Sequence, residues 1–353
     1  MKTLDEINFK DKNVLIRCDY NVPLVDGTLA DEEDDRIEFS VDTIRHILEQ
    51  ESKFILLVSH LGRPGGKVNA ELGLKPIRKR LQGYLGYLGV EVVLVETLEE
   101  IKAAQEVGNR IALLENIRFW PGEESSDDDF AGKVMEGFDV YVNNAFPVSH
   151  RDHASLTKFP QHASEKCAGK LFMKEVENLK KVKEDPMRPA VAIIAGAKIA
   201  TKLPVIETLS KEYDFVLVGG KTANEVLDQK LDLGENVLLP VDFAPESKAA
   251  ERLDIGPKTQ KAFAEKIEEA NTIVWNGPVG LYENEESATG TRNIISAIAQ
   301  NHKAFKLVGG GETISALNHF SSPRHFNYVS MSGGAMLDFL ANKELPGIKA
   351  LNS

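Results

Sequence analysis

A glycine-rich stretch near the carboxyl end of the chain has the residue types needed to bind a phosphorylated ligand. It runs Lys306-Leu307-Val308-Gly309-Gly310-Gly311-Glu312-Thr313-Ile314-Ser315. The pattern predicts a buried strand, a glycine turn and the first turn of a helix, whose N-terminus attracts phosphate. Glu312 adds a carboxylate at the turn, where a Mg²⁺ ion carried on phosphates could find an oxygen ligand. Turns of this kind also occur without a ligand, so this one alone does not establish a site.

Polar and cationic residues form a second group, in the first half of the chain, directly after predicted strands. They are Asp19, Asn21, His60, Arg63, Arg118 and Arg151. Open parallel sheets bind ligands at the carboxyl ends of their strands. Three arginines at such an edge of an acidic protein favour a small polyanion, such as a phosphorylated acid. The alternative is that each arginine forms an exposed salt bridge, worth under about 1 kcal/mol.

Short apolar runs alternate with helical segments along the chain, and this alternation predicts parallel sheets covered on both faces. The predicted strands begin near residues 13, 54, 90, 111 and 139 in the first half and near 190, 215, 237, 272, 305 and 328 in the second. We therefore predict an α/β protein with two Rossmann-like, doubly wound parallel-sheet domains joined by a helical hinge. The expected boundaries are 1–164 for the first domain, 165–185 for the hinge and 186–343 for the second domain.

Composition restricts the class of protein. A length of 353 residues favours two domains, and 42% hydrophobic and 27% charged residues are typical of a globular protein. The formal net charge of -12 argues against nucleic-acid binding, which needs a basic surface. The two cysteines, Cys18 and Cys167, have no metal-site spacing, and no apolar run is long enough for a membrane helix. We therefore expect a cytoplasmic enzyme that binds neither nucleic acid nor membranes.

Several short motifs lack residues that the corresponding functional motifs require. Gly220-Lys221-Thr222 lacks the earlier glycine of a phosphate-binding P-loop, because residue 215 is Phe. His150-Arg151-Asp152 lacks the asparagine that follows in protein kinases. The first strand–helix unit has no GxGxxG, which makes a nicotinamide dehydrogenase the weakest reading.

Longer motifs make the chain resemble the phosphoglycerate kinase family over almost its whole length. In the first half they are Arg17-Cys18-Asp19-Tyr20-Asn21-Val22-Pro23, Ser59-His60-Leu61-Gly62-Arg63-Pro64, Leu114-Glu115-Asn116-Ile117-Arg118-Phe119 and His150-Arg151-Asp152-His153-Ala154-Ser155. In the second half they are Gly196-Ala197-Lys198, Asp254-Ile255-Gly256-Pro257-Lys258-Thr259, Val274-Trp275-Asn276-Gly277-Pro278-Val279-Gly280, the turn at 309–313 and Lys343-Glu344-Leu345-Pro346-Gly347.

The resemblance implies reversible phosphoryl transfer between 1,3-bisphosphoglycerate and ADP, giving 3-phosphoglycerate and ATP in glycolysis. It implies that the triose acid is held by Asp19, Tyr20, Asn21, Arg36, His60, Leu61, Gly62, Arg63, Arg118 and Arg151. It implies that Mg-nucleotide is held by Lys202, Gly219, Glu283, Gly310, Gly311, Glu312 and Thr313, with Glu283 on the ribose and Glu312 on Mg²⁺. The catalytic set would be Arg36, Lys198, Lys202 and the helix N-terminus at Gly333 and Gly334. A monomer is expected, with the tail 344–353 packed back on the first domain.

The second half departs from the family pattern. Glu312 stands where an aspartate is usual, Ala195 replaces a glycine, and Lys221-Thr222 replaces small residues and methionine. The segment 224–241 is also much shorter than in the family. These changes leave an alternative open, in which the chain binds phosphoglycerate or nucleotide without efficient turnover, or prefers another nucleotide. If the chain is an active kinase, the attacking group in the direction of ATP use is a substrate carboxylate, which is already ionised at neutral pH. No general base is then required, and catalysis comes from alignment and charge neutralisation.

Overall fold

The computed structural model describes residues 1–29, 35–197 and 199–353. The chain divides into two units, of which unit 1 comprises Met1–Glu175 with Glu344–Ser353, and unit 2 comprises Val176–Lys343. Each unit is built around one six-stranded parallel sheet. Within the described residues, no helix is both long enough and apolar enough to cross a membrane.

Unit 1 contains eight strands in its described part. They are β1 (Asn13–Arg17), β2 (Leu24–Val25), β3 (Thr28–Leu29), β4 (Phe54–Val58), β5 (Val92–Val95), β6 (Ile111–Leu114), β7 (Val140–Asn143) and β8 (Glu165–Ala168). Its helices are α1 (Asp35–Glu49), α2 (Lys75–Leu85), α3 (Leu98–Glu106), α4 (Pro121–Glu124), α5 (Asp128–Met135), α6 (Ala154–Thr157) and α7 (Phe159–His162). The sheet order is β5-β6-β4-β1-β7-β8, and β2 and β3 form a separate hairpin.

Unit 2 begins within α8 (Lys170–Lys183). Its strands are β9 (Ala190–Ile194), β10 (Phe215–Val218), β11 (Val237–Leu238), β12 (Phe243–Ala244), β13 (Asp254–Ile255), β14 (Thr272–Asn276), β15 (Phe305–Gly309) and β16 (Tyr328–Ser330). Its helices are α9 (Ile199–Glu212), α10 (Gly220–Gln229), α11 (Pro257–Glu269), α12 (Thr289–Gln300), α13 (Gly311–Phe320) and α14 (Gly334–Leu340). The sheet order is β11-β10-β9-β14-β15-β16.

Burial of whole strands explains why both sheets are parallel and covered by helices. Every residue of β4, β6, β9 and β14 is buried, as expected for strands with helices on both faces. In unit 1 the core joins Ile37 and Ile44 of α1 to Ile16 of β1. In unit 2 it joins Phe263 of α11 and Ile294 of α12 to neighbouring strands. In each sheet the strand order reverses beside the first strand, β1 or β9, and ligands bind at such switch points.

The segment 165–168 corrects the predicted start of the helical hinge. We expected a helix over 165–185, but Glu165–Ala168 forms β8, which pairs in parallel with β7, and α8 begins only at Lys170. Cys167 is fully buried in this edge strand. Pairing with β7 and burial of the thiol therefore outweigh the helical character of the local sequence.

The last helix, α15 (Pro346–Asn352), belongs to unit 1. The amide of Gly347 donates to the carbonyl of Ser149 at 2.9 Å. A Cβ on Gly347 would lie 2.8 Å from the side chain of Ser149, so only glycine allows this approach. The segment 344–353 thus completes the packing around α6.

Candidate active site

The loops that follow β1 and β4 in unit 1 are tied together by polar side chains. Asp19 is 4% exposed and its carboxylate is paired closely with the guanidinium of Arg36 from α1. The amide of Asn21 donates to Asp19 Oδ1 at 3.3 Å, and the amide of Gly62 donates to Asn21 Oδ1 at 2.9 Å. The predicted acid-binding residues of both loops are therefore held in one network.

Arg118 is held in place from its backbone and from one side of its guanidinium. Its amide and that of Leu61 both donate to Asn116 Oδ1, at 3.1 and 3.2 Å. Its Nη1 donates to the carbonyl of Gly62 at 2.6 Å, and its Nε lies 3.3 Å from Glu124 Oε1. Among the residues that the structure describes, Nη2 has no hydrogen-bond partner although the side chain is buried. Burial, then Arg151 and Arg17, lower the pKa of Arg118 to about 10. An unpaired buried donor of this kind calls for an anionic ligand.

The predicted cations of unit 1 lie within electrostatic range of one another around His60. Burial is the main cause that holds the pKa of His60 well below its usual range, followed by the charges of Arg17, Arg118, Arg151 and Arg36. Burial likewise lowers the pKa of Arg151, with Arg63 as the next cause. The structure therefore gathers side chains that are far apart in the sequence into one positively charged region.

Arg17 also sets the protonation pattern of His60. Its Nη2 lies 3.3 Å from His60 Nδ1. Because a guanidinium can only donate, Nδ1 must accept, and the proton of the neutral ring is on Nε2. His60 therefore serves as a neutral hydrogen-bond donor rather than as a cation.

No role was predicted for Arg17 or for its buried partners Ser155 and Glu123. Arg17 Nε donates to Ser155 Oγ at 2.7 Å, and that hydroxyl donates to Glu123 Oε1 at 2.7 Å. Arg17 and Glu123 are both 0% exposed. The available signal was a charged residue inside the apolar run of β1. Tyr20, predicted to bind the acid, is buried, and its hydroxyl pairs with Ser40 Oγ at 2.9 Å.

In unit 2 the predicted glycine turn joins β15 to α13. Gly310 has φ 102°, and a Cβ there would lie 2.7 Å from Asn276 Nδ2. Asn276 Nδ2 donates to the carbonyl of Gly309 at 2.6 Å, and the amide of Gly277 donates to Thr313 Oγ1 at 2.7 Å. The hydroxyl of Thr313 thus connects the turn after β14 to the start of α13. Around Gly311, in contrast, a Cβ would meet no atom within 4 Å, and this residue is exposed.

Lys202 of α9 lies beside these turns, with its residue 8% exposed. Its ammonium donates to Asn276 Oδ1 in a short contact and lies 3.5 Å from the carbonyl of the same residue. Burial lowers the pKa of Lys202 to about 8, and the charge of Glu312 opposes that shift. Glu312 Oε2 lies 3.6 Å from the position of a Cβ on Gly196. Lys202 and Glu312 therefore face the same group of turns.

The turns after β9, β10 and β14 approach so closely that side chains are excluded. Gly277 has φ 102°, and a Cβ on it would lie 1.9 Å from the carbonyl oxygen of Ala195. A Cβ on Gly219 would lie 2.8 Å from Val279. Gly219, predicted to contact nucleotide, therefore also has a packing reason to be glycine.

The remaining predicted nucleotide residues lie near this region. Glu283 is exposed, and it acts with burial and with Glu312 to raise the pKa of Tyr282. Gly333 precedes α14, and a Cβ on it would lie 3.7 Å from Gly310 Cα. Lys198, predicted to be catalytic, lies outside the described residues. No cluster of three or more His, Cys, Asp or Glu side chains suited to a metal occurs in the described part of the chain.

Comparison with known proteins identifies the family. The phosphoglycerate kinase model matches residues 4–246 and 232–343. The chain belongs to the phosphoglycerate kinase family. It is 38% identical to phosphoglycerate kinase from Desulforapulum autotrophicum over 398 residues, covering 100% of both chains, and 34% identical to that from Clostridioides difficile, covering 100% of this chain and 98% of the relative.

Solved phosphoglycerate kinases share the fold. The structure from Coxiella burnetii has a TM-score of 0.84 and 33% identity, covering 99% of this chain and 98% of that one. The structure from Pyrococcus horikoshii has a TM-score of 0.81 and 29% identity, covering 100% and 98%. The predicted family, the two parallel α/β sheets and the activity of a phosphotransferase in glycolysis are confirmed. Nothing in these comparisons favours the alternative without efficient turnover.

The comparisons also indicate where the chain is short. The alignment with the Desulforapulum relative has 398 positions against 353 residues here, a difference of 45. The two family matches overlap at residues 232–246, which include most of the short connection 230–236 between α10 and β11. This connection lies within the segment 224–241, which was predicted to be shortened.

Proposed function

We propose that the chain transfers a phosphoryl group reversibly between 1,3-bisphosphoglycerate and ADP, with the triose acid bound by unit 1 and the nucleotide by unit 2. The observation that carries this division of roles is the guanidinium of Arg118, which is buried among other cations with its Nη2 unpaired in the described structure. Glu124 faces the Nε of this guanidinium, so Nη2 still lacks an acceptor, and a phosphorylated carboxylate supplies one.

In unit 1 the phosphoglycerate would be held by groups that can only donate. Arg63, Arg118 and Arg151 offer guanidinium N–H groups, and His60 offers Nε2–H. Asp19 holds Arg36, which is half-buried, and so sets the direction of its guanidinium toward the reacting phosphoryl group. Tyr20, Leu61 and Gly62 act mainly through the backbone of these loops.

In unit 2 the nucleotide would lie along the glycine turn, with its phosphates at the amides of Gly310 and Gly311. Lys202 is mostly protonated at pH 7, because its pKa is about 8. Its ammonium can therefore stabilise the negative charge that develops during phosphoryl transfer. Glu312 is the carboxylate for Mg²⁺. A single protein carboxylate fits this ion, which keeps several waters and takes other oxygens from phosphates.

The reaction requires the protein mainly to align the two substrates and to neutralise negative charge on the transferring phosphoryl group. In the direction of ATP use, the attacking group is the carboxylate of 3-phosphoglycerate, which is ionised at neutral pH. Bound Mg²⁺ would neutralise charge on the phosphate oxygens. Arg36, Lys198, Lys202 and the amides near Gly333 and Gly334 supply the remaining positive charge around the transferring group.

A coupled assay of ATP consumption with 3-phosphoglycerate tests the proposal. We expect Mg-dependent turnover with ATP, and slower rates with GTP and with pyrophosphate. Replacing Arg118 with Gln should raise the KM for 3-phosphoglycerate by about tenfold or more, since a charged hydrogen bond is lost, and leave the KM for ATP unchanged. Absence of Mg-dependent turnover would refute the proposed activity, and a preference for another donor would support the altered-nucleotide alternative.

The role of Glu312 has its own experiment. Glu312→Gln should require about tenfold more Mg²⁺ for half-maximal rate, because a neutral donor replaces a carboxylate, whereas Glu312→Asp should keep the metal requirement. Equal Mg²⁺ dependence in the wild type and Glu312→Gln would remove Glu312 from the metal site.

Two further parts of the proposal concern the state of the protein. The described Cys18 and Cys167 are free and buried, and burial raises the pKa of each thiol to about 12. Unpaired thiols of this kind suit the reducing cytoplasm. We expect a monomer, which sedimentation at several concentrations would test.

A further inference from the structure

A small cationic pocket lies at the amino ends of β15 and β16, at the end of the unit 2 sheet opposite to the glycine turn. Its volume is about 220 Å³. Its lining includes His302, Lys306, Arg324, His325 and Asn327. These residues lie away from the proposed nucleotide site, because Lys306 and Gly309 are at opposite ends of the same strand.

Lys306 is the unusual member of this pocket, because it is a buried charge inside a strand. It is only 6% exposed. Its ammonium makes one long hydrogen bond, 3.4 Å, to the carbonyl of Ile298 near the end of α12. Burial lowers its pKa, and no carboxylate among the described residues pairs with it. One weak contact to a helix carbonyl leaves most of the donor capacity of the ammonium unused.

The backbone fixes the floor of the pocket. The amide of Lys306 donates to Asn327 Oδ1 at 2.9 Å, and the amide of Asn327 donates to the carbonyl of Lys306 at 3.0 Å. Arg324 and His325 are exposed on a short 3-10 helix, Pro323–His325, and His302 is exposed on the facing loop. Within the described structure their side chains make no hydrogen bond or ion pair, so they are available to a ligand.

We infer that this pocket binds a small tetrahedral oxyanion of the phosphate type, either as the free ion or as the head of a small phosphomonoester. Lysine and arginine together match a phosphate, the first as a point charge and the second as a fork of N–H groups. The volume of about 220 Å³ is below the range of drug-sized sites, which favours a small ion or a small head group. Unlike the surface of this acidic chain as a whole, the lining carries no carboxylate.

Site-resolved NMR of the full chain, free of substrates and of other phosphates, tests the inference. Inorganic phosphate is titrated at constant pH, and the ring signals of His302 and His325, which line this pocket, are followed. We expect a saturable shift in both rings. Sodium chloride at equal ionic strength should not reproduce it, and if it does, charge screening explains the effect and the site is refuted.

Variants separate binding from folding. Lys306→Met keeps the apolar stem and should abolish the saturation, and Arg324→Gln, at an exposed position, should weaken it by about tenfold. Lys303→Met removes an exposed charge that does not line the pocket and should leave the titration unchanged. Weaker saturation in Arg324→Gln supports the site even if Lys306→Met fails to fold, and unchanged saturation in Arg324→Gln overturns it.

A parallel titration with glycerol 3-phosphate distinguishes the two sources of the anion. Saturation by both ligands shows that esters enter, and saturation by phosphate alone shows that only the free ion fits. A non-saturating drift with either ligand, or the same curve in Lys306→Met, overturns the inference. None of these readouts depends on turnover, so failure of the phosphotransferase proposal would leave the result interpretable.

Discussion

Replacing Lys202 with Met should stabilise the ligand-free protein while it removes activity. The pKa of Lys202 falls from 10.5 to about 8 in the folded chain, which corresponds to roughly 3 kcal/mol against the charged form at 1.36 kcal/mol per pH unit. Met keeps most of the buried stem. Against this gain, Asn276 Oδ1 loses its donor, at a cost of about 1 to 2 kcal/mol. We therefore expect the free energy of unfolding to rise by about 1 to 2 kcal/mol.

The pH dependence gives this prediction its sharpest form. A lysine with a lowered pKa destabilises the fold fully below about pH 8, where folded and unfolded chains both hold the proton. Between about 8 and 10.5 the folded chain loses the proton while the unfolded chain keeps it, so wild-type stability rises with pH. The advantage of Lys202→Met should therefore be largest near pH 7 and shrink toward pH 10.

Thermal and urea unfolding of the ligand-free protein at pH 7 and 9.5 measure the effect, which should be a few degrees in the unfolding midpoint at pH 7. Lys211→Met, on the exposed side of the same helix, is the matched control and should change neither stability nor its pH dependence. Turnover of Lys202→Met should fall by about 10²- to 10³-fold. A variant that is less stable at pH 7, or whose advantage does not vary with pH, would refute the reasoning about the buried charge.

Three more predictions follow from the two sites. Arg36→Ala should lower turnover by about 10³-fold in the coupled assay, the scale of a cation at a transferring phosphoryl group, whereas Arg45→Ala on the same helix should not. The ring of His60 should be neutral with its proton on Nε2 from pH 6 to 8 in ¹⁵N NMR, and an imidazolium signal in that range would contradict the assignment. Gly277→Ala should lower the free energy of unfolding by about 3 kcal/mol or more in denaturant titrations, because its Cβ would overlap a backbone oxygen. Gly311→Ala has open space at the start of α13 and should leave the free energy of unfolding unchanged or raise it by up to about 1 kcal/mol, since Ala favours a helix over Gly. Equal losses in the two variants would contradict this packing.

The sequence predicted the sheets well because the strands are buried on both faces. Runs such as 54–58 and 190–194 contain nothing but apolar residues, and glycine or polar residues follow them at the site edge. The parallel arrangement then brought the residues after each strand together. The edge strand β8 was missed because its stabilisation comes from β7, which the local sequence does not show.

Roles that depend on long-range contacts could not be predicted. Arg17 is recognisable as a charge in a strand, but its partner Ser155 lies 138 residues away. Thr313 was predicted to contact nucleotide, and only the folded chain shows that its hydroxyl also accepts from the amide of Gly277 on a different turn. The lowered pKa of Lys202 likewise depends on burial that only the folded chain creates.

The return of α15 to unit 1 has a consequence for synthesis on the ribosome. Translation proceeds from the amino end toward the carboxyl end, so the whole of unit 2 is made before Pro346–Asn352 emerges. Domains generally fold as units during synthesis, the N-terminal one first. Here the N-terminal unit must wait for a late segment, so nascent chains that stop near residue 340 would expose the surface around Ser149 to chaperones and proteases.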